Sequence, residues 1–258
     1  MVLTPATKPP FKRQKGGKSE VAVVGQSGSY AHIAAQQVWG AGTNSYVHCT
    51  NFREVFKTVS EARADVGVVP IENTTMGHIH QIYDLLLQHS KLHIIGETTQ
   101  HETHLLCAAA DVPIKNIKRI VSHPVAAKQC STFLRKHSAN IGGAVEQVEA
   151  QDTATACAEV AKSNRLDTAV IANSEVAKMH GLKVLQRGIS DDVNNTTRFI
   201  IVAPHPIKVQ VQPHLSKTTI AFALKDEPGS LYKALSVFAL RNINIAKVGI
   251  CFVSYWKG

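Results

Sequence analysis

Four times between Val21 and Gly181 a short apolar run meets a cluster of Gly, Ser, Thr, Asn or Pro and then gives way to a segment of helical period. That alternation is the strongest constraint on the chain, because strands followed directly by helices pack as helices layered on a largely parallel sheet. The first unit runs from residues 21–24 through the turn 25–30 into a helix over 31–39, with Gly40 just past the helix end. The second is the run 66–71, the polar turn 72–75, and a helix carrying Ile79, Ile82, Tyr83 and Leu86 at i, i+3, i+4 and i+7. The third joins Ile120-Val121 to Ser122-His123-Pro124, with the proline suited to the first position of a helix reaching about His137. In the fourth, residues 169–172 run into Asn173-Ser174 and a short helix closed by Gly181, and upstream of it Asp152-Thr153 caps a further helix over 154–162. The expected fold class is α/β.

These turns gather backbone N–H groups at one edge. In open α/β sheets ligands bind beyond the carboxyl ends of the strands, and helix amino termini there attract carboxylate or phosphate. Several such ends in one chain predict a cleft for a small anion, although each cap taken singly has the ordinary role of closing a helix, worth ~1 kcal/mol. Gly25-x-x-Gly28 lacks both the third glycine of the dinucleotide fingerprint and the GK[ST] of the phosphate loop, so no nucleotide is expected. His101-Glu102-Thr103-His104 spaces its histidines by three rather than the four of a zincin helix, and no other histidine pair has ligand spacing. The five cysteines are scattered without a CxxC, which argues against a zinc site and a disulfide framework alike.

A second polar cluster stands at the mouth of a buried strand. In Asn194-Asn195-Thr196-Thr197-Arg198-Phe199 hydroxyls, amides and one guanidinium precede the apolar run 199–202. If the strand already starts at Thr196, alternation sends Thr197 and Arg198 to opposite faces, so that one of them faces a ligand. A capped turn with a surface arginine is the alternative reading of the hexapeptide.

The net charge of +9 suggests polyanions, but Lys8, Lys12, Arg13, Lys15 and Lys18 crowd into residues 1–19, a Pro- and Gly-containing arm expected to be disordered. No basic stripe interleaved with aromatics follows, so neither nucleic acid nor, without an apolar run near ~20 residues, a membrane is an expected partner. Beyond Val202, prolines at 204, 206 and 213 mark a linker over 204–216. Residues 217–224 then read as a strand, 226–229 as a turn, 230–240 as a helix and 242–245 as the start of another strand.

Taken together, Gly25-x-x-Gly28-x-Tyr30, Val69-Pro70-Ile71-Glu72-Asn73-Thr74, Ser122-His123-Pro124 with Gln129-Cys130, and Asn195-Thr196-Thr197-Arg198-Phe199 resemble, in order and spacing, the motifs of prephenate dehydratases and plant arogenate dehydratases. The resemblance covers residues 20–203. It implies two α/β lobes similar to periplasmic binding proteins, the first over about 20–97 and 185–203 and the second over about 98–184, with the substrate between them. It implies decarboxylating dehydration of prephenate to phenylpyruvate, or of arogenate to phenylalanine, without a cofactor because the ring gains aromaticity. The essential threonine of the family maps to Thr197, expected to donate to the departing hydroxyl or relay a proton. Glu72 is the accompanying acid, or else a brace for Asn73. Tyr30, Asn73, Thr74, Ser122, His123, Thr153, Arg198 and Phe199 are the expected substrate contacts. Ala31 and Val125 depart from the usual Ser/Thr and Gln, and a non-catalytic two-lobed sensor of small acids is the runner-up reading.

Residues 217–258, with Gly229-Ser230-Leu231 and Asn242-Ile243-Asn244-Ile245, resemble the start of the ACT regulatory domain, a ferredoxin-like α+β unit of which about half is present. The resemblance implies L-phenylalanine as effector at Gly229, Ser230 and Leu231, with weakened feedback in a truncated or processed product, and a homo-oligomer. It leaves the compartment open between cytoplasm and plastid stroma.

Overall fold

The computed structural model describes residues 19–163, 165–207 and 217–249. The expected disordered arm up to residue 18, the linker from residue 208 onward and the last residues of the expected ACT segment lie outside the described residues. Residues 1–208 and 209–258 form separate compact units.

The first unit is mixed α/β with two sheets. The first sheet takes β1 (Glu20–Val24), β2 (Ser45–Cys49), β3 (Val66–Asn73), β4 (Gly77–His78), β5 (His93–His101) and, from the end of the unit, β11 (Thr196–Ala203). Its order is β2-β1-β3-β11-β5, with β4 paired to β3. The second sheet is made by β6 (Leu105–Ala108), β7 (Arg119–Ser122), β8 (Glu146–Glu149), β9 (Thr168–Ala172) and β10 (Lys183–Gln186), in the order β10-β6-β9-β7-β8. The chain crosses between sheets twice, at 102–104 and at 187–195.

Each sheet is buried on both faces, which is why its central strands read as unbroken apolar runs rather than alternating ones. In the first, Val21, Val23, Val68, Phe199 and Ile201 pack under α1 (Tyr30–Trp39). On the other side Val69, Ile200 and Val202 pack against Val55 and Phe56 of α2 (Phe52–Ser60) and against α3 (His80–Gln88). In the second, β9 is buried at every position, between α4 (Pro124–Gln129) and α5 (Ser131–Asn140) on one face and α6 (Thr153–Lys162) and α7 (Ser174–Met179) on the other. Each fully buried Val, Ile or Phe contributes about 1.5–3 kcal/mol of transfer free energy.

Several expectations change in the structure. The polar turn after β3 does not open a helix. Asn73 closes the strand, β4 makes a short hairpin, and α3 begins only at His80. The helix expected over 124–137 is two helices, because Cys130 leaves helical geometry (φ −120°, ψ 21°) between α4 and α5. β2, β5, β8 and β10, the outer strands of the two sheets, lack a strong apolar signature, since edge strands carry polar residues on their open side. In the second unit neither 217–224 nor 242–245 is a strand, and α8 (Ser230–Ala239) is the regular element among the described residues. A strand needs a paired neighbour for its N–H and C=O groups, and none is described for these two. Ile220, Phe222, Tyr232 and Leu240 are all more than half exposed. Among the described residues no helix is long and apolar enough to cross a membrane.

Candidate active site

β11 runs antiparallel to β3, so its amino-terminal start lies beside the carboxyl end of β3, with Thr197 opposite Asn73. On the other side β11 pairs with β5, placing Thr196 opposite His101, the residue before the first crossing. Three chain ends therefore converge where the two sheets are joined.

The convergence builds a buried hydrogen-bond cluster. Asn73 Nδ2 donates to Thr197 Oγ1 at 2.7 Å and to Asn195 Oδ1 at 2.8 Å. Thr197 Oγ1 lies 2.5 Å from Glu102 Oε1, to which it donates. The other carboxyl oxygen, Oε2, accepts from Asn195 Nδ2 at 3.2 Å and from Gln129 Nε2 at 3.5 Å. Gln129 Oε1 in turn lies 2.6 Å from His104 Nε2. Asn73, Asn195, Thr197, Glu102, Gln129 and His104 are all buried. Thr74 Oγ1 adds a donor to Asn195 Oδ1 and takes the Thr196 N–H. Asn73 Oδ1 accepts from the N–H groups of Thr75 and Met76, both at 2.9 Å, so this turn satisfies its own amides and orients the asparagine rather than offering a helix terminus to an anion.

Arg198 takes the opposite face, as alternation requires. Its guanidinium donates to Glu72 at 2.8 Å and to Glu97 at 2.9 Å. Glu72 is thus not the acid next to Thr197; a register shift between Arg198 and Phe199 puts it beside Arg198 on the far face. Phe199 lies in the α1-side core, 2% exposed, and does not line a cavity. Arg198→Ala, with both acids left facing each other, is expected to cost about 1 kcal/mol for a partly exposed pair. A melting temperature lower by about 2–4 °C with an unchanged substrate KM would show that the arginine braces β11.

Next to this cluster a cavity of about 160 Å³ opens between the sheets. Gln26, Ser29 and Tyr30 line it from the first sheet, and His123, Thr153 and Asn173 from the second. Tyr30 belongs to both neighbourhoods, since its hydroxyl donates to Thr103 O at 3.3 Å and its ring meets His104 edge-on at 6.2 Å. Burial, with the Glu102 charge adding to it, pushes the Tyr30 phenol far above its ordinary range and keeps it a neutral donor. Thr153 opens α6, whose Asp152 cap uses Oδ1 for the Thr155 N–H at 2.8 Å and leaves the first amides of the helix facing the cavity. His123 caps α4 through Nδ1. Ser122 lies elsewhere, in the wall of a separate hollow beside α5 and β8.

The glycine turn is held from both sides. Asn173 Nδ2 donates across the sheets to Gly28 O at 3.1 Å, and Gly28 N–H donates to His32 Nδ1 at 2.9 Å. Burial, reinforced by His48, lowers the His32 pKa from 6.5, so folding favours the neutral ring that can accept this bond. As pH falls below about 6.5 the unfolded chain takes up protons that the folded chain resists, and stability is lost until the lowered folded value is passed. The melting temperature is therefore expected to fall between about pH 7.5 and pH 5, and His32→Gln to flatten that slope.

Gln129 and Asn195 stood in the motifs without an assigned role, and Glu102 and His104 only in the stretch rejected as a metal motif. Of the singled-out residues the structure unites Thr197, Asn73 and Thr74 in the cluster, and Tyr30, His123 and Thr153 at the cavity.

The family model for prephenate dehydratase matches residues 21–207. "Arogenate dehydratase/prephenate dehydratase 2, chloroplastic" of Arabidopsis thaliana is 40% identical over 233 residues, 90% of this chain and 58% of the relative. The chain thus spans less than two thirds of that relative's length. The structure of a prephenate dehydratase from Arthrobacter aurescens in complex with L-Phe superimposes with a TM-score of 0.75 at 28% identity, covering 89% of this chain and 75% of that one. A structure described as a quorum-quenching acylase, GqqA, superimposes at 0.71 with 26% identity over 91% of this chain and 82% of that one.

Proposed function

From the premise that the chain belongs to the prephenate dehydratase family, we propose that it is a hydro-lyase that removes carboxylate and ring hydroxyl from prephenate, from arogenate, or from both, in phenylalanine biosynthesis. The observation that carries the reading is the buried Thr197 hydroxyl, held by Asn73 where the two sheets join and beside a cavity walled by both. The substrate is a cyclohexadiene with carboxylate groups and an allylic hydroxyl. The α6 terminus at Thr153, His123 and the Tyr30 phenol hold its anionic end, and the cavity orients the ring so that its hydroxyl meets Thr197. As the C–C bond to the ring carboxylate breaks, CO2 leaves, the electron pair completes the aromatic ring, and the C–O bond releases its pair to oxygen. Thr197 donates to that oxygen as charge develops on it, and water departs.

Arg198 and Glu72 serve the strand rather than the substrate in this reading. Residues 217–249 are the described part of an ACT-type regulatory unit, in which Gly229, Ser230 and Leu231 would meet phenylalanine, and the whole protein is a homo-oligomer. Calorimetric titration of the chain with L-phenylalanine is expected to show weak binding or none; micromolar binding would show a competent effector site.

Separate assays of prephenate and arogenate turnover test the main reading, and also identify which side-chain group, keto or amino, the cavity prefers. No turnover of either substrate would defeat it. One observation favours a second reading: a threonine hydroxyl aimed at a carboxylate is also the arrangement of an activated nucleophile, and the fold is shared with an acylase. Hydrolysis of an N-acyl amide, lost in Thr197→Val, with inert prephenate and arogenate, would establish that reading instead.

A further inference from the structure

We infer that Glu102 is a positioning residue for the elimination: its proton, held in the hydrogen bond to Thr197, both frees the threonine hydroxyl to face the substrate and replaces the proton that the threonine gives up. The inference rests on the dehydratase reading and names a part of that site which the family motifs do not mark.

A threonine hydroxyl has one proton to donate and two lone pairs to accept with. Here one lone pair takes the Asn73 amide, at 2.7 Å, and the next contact is Glu102 Oε1 at 2.5 Å. With Glu102 ionised, the carboxylate has no hydrogen to give, so the only proton of Thr197 must point at it. Nothing is then left for a departing hydroxyl. With Glu102 protonated at Oε1 the bond reverses. Thr197 accepts from both Asn73 and Glu102, all three of its positions are used when its own proton turns to the substrate, and no heavy atom has moved. The second carboxyl oxygen is indifferent to the change, because Asn195 Nδ2 and Gln129 Nε2 donate to it in either state. These two amides also fix which oxygen faces Thr197.

The step balances. The substrate C–O bond breaks with its electron pair going to oxygen, the Thr197 O–H proton passes to that oxygen to make water, and the Glu102 proton passes to Thr197 Oγ1. Glu102 is left as the carboxylate and is reprotonated from solvent before the next turnover. The loss of CO2 from one carboxylate supplies the electron pair that aromatises the ring, so the overall reaction consumes one proton, and Glu102 is where it is stored.

Other ionisable groups stand around the cluster. Burial alone keeps Tyr30 on α1 neutral, and burial pushes the Cys130 thiol, at the end of α4, up to about 12. Asp191, whose burial is outweighed by bonds from Ser131 and Thr132 on α5, is held below the ordinary aspartate range. None of the three changes charge between about pH 5 and 8. His101 on β5 and His104, one bond beyond Gln129, serve as controls.

The test is the pH dependence of kcat in the full chain with whichever of prephenate or arogenate the wild type turns over. In the wild type kcat is expected to be high on the acid side and to fall about tenfold per pH unit on the alkaline limb. Glu102→Gln keeps the shape, turns its oxygen to Asn195 and Gln129 and its amide N–H to Thr197, and has no proton to pass; its kcat is expected to drop about 10²-fold or more with KM within about twofold, and its alkaline limb to vanish. Glu102→Asp, retaining the acid, is expected to restore the limb with part of the rate, which a purely structural role would not do. A Glu102→Gln enzyme with wild-type kcat and limb overturns the inference, as does a limb that persists in Glu102→Gln and disappears in His101→Asn or His104→Gln. If Thr197→Val is inactive while Glu102→Gln is unimpaired, the dehydratase reading stands and only the role of Glu102 falls; a wild type inert towards both substrates removes the two together.

Discussion

Thr197→Val is expected to lower kcat by about 10²- to 10³-fold while leaving KM within about twofold. Valine keeps the branched shape and the strand preference of threonine, so β11 and its pairing with β3 are retained. What is removed is the single donor aimed at the departing oxygen, and that donor matters to the transition state more than to the bound ground state. The substitution also leaves Asn73 Nδ2 with one acceptor fewer and Glu102 Oε1 without its partner in a buried setting, at a cost of about 1–3 kcal/mol. Steady-state kinetics with a thermal melt separate the two effects: a modest loss of stability with a large loss of kcat is the expected pair. Full turnover in the variant would take Thr197 out of the chemistry.

The second large effect is structural. Gly28 has φ +85°, and a Cβ built there would stand 2.5 Å from Val176 Cγ2 and 3.2 Å from Met179 Sδ, both on α7 of the other sheet. Gly28→Ala therefore combines a left-handed residue, costing about 1–2 kcal/mol, with an overlap that α7 relieves only by moving away. The same shift lengthens the Asn173 Nδ2 bond to Gly28 O and widens the cavity. A fall in melting temperature of about 5–10 °C and a several-fold higher KM are expected, from a total of about 2–4 kcal/mol. Gly42→Ala is the control, because Gly42 has φ +74° but no atom within 4 Å of its built Cβ. Its loss should be confined to the backbone cost. Equal losses at both positions would mean that contact across the sheets contributes nothing.

What the sequence made legible divides along physical lines. Local chemistry was readable: caps such as Asp152 and Asn173, the apolar periods of the helices, and the opposite facing of Thr197 and Arg198 all follow from short-range geometry. Pairing was not. Glu102 meets Thr197 across 95 residues because β5 and β11 are hydrogen-bonded with Thr197 opposite Gln100, and no local pattern records that register. Its own stretch, His101-Glu102-Thr103-His104, was informative only as a failed metal motif. Glu72 shows the converse: the motif was visible, but the register shift at Arg198/Phe199 that turns it towards Arg198 comes from the sheet. In the second unit the apolar runs 217–224 and 242–245 carry strand-like composition, but among the described residues no neighbouring strand pairs with them.

The two crossings between the sheets have a mechanical consequence. Glu102 begins one and Asn195 ends the other, so the residues that hold Thr197 sit where the two sheets are joined, the place that would serve as axis if one sheet turned against the other. Atoms near an axis travel least. Opening wide enough to admit a substrate would thus be felt at contacts off the axis, such as Gly28 with Asn173, while the proton-handling groups keep their spacing throughout the cycle.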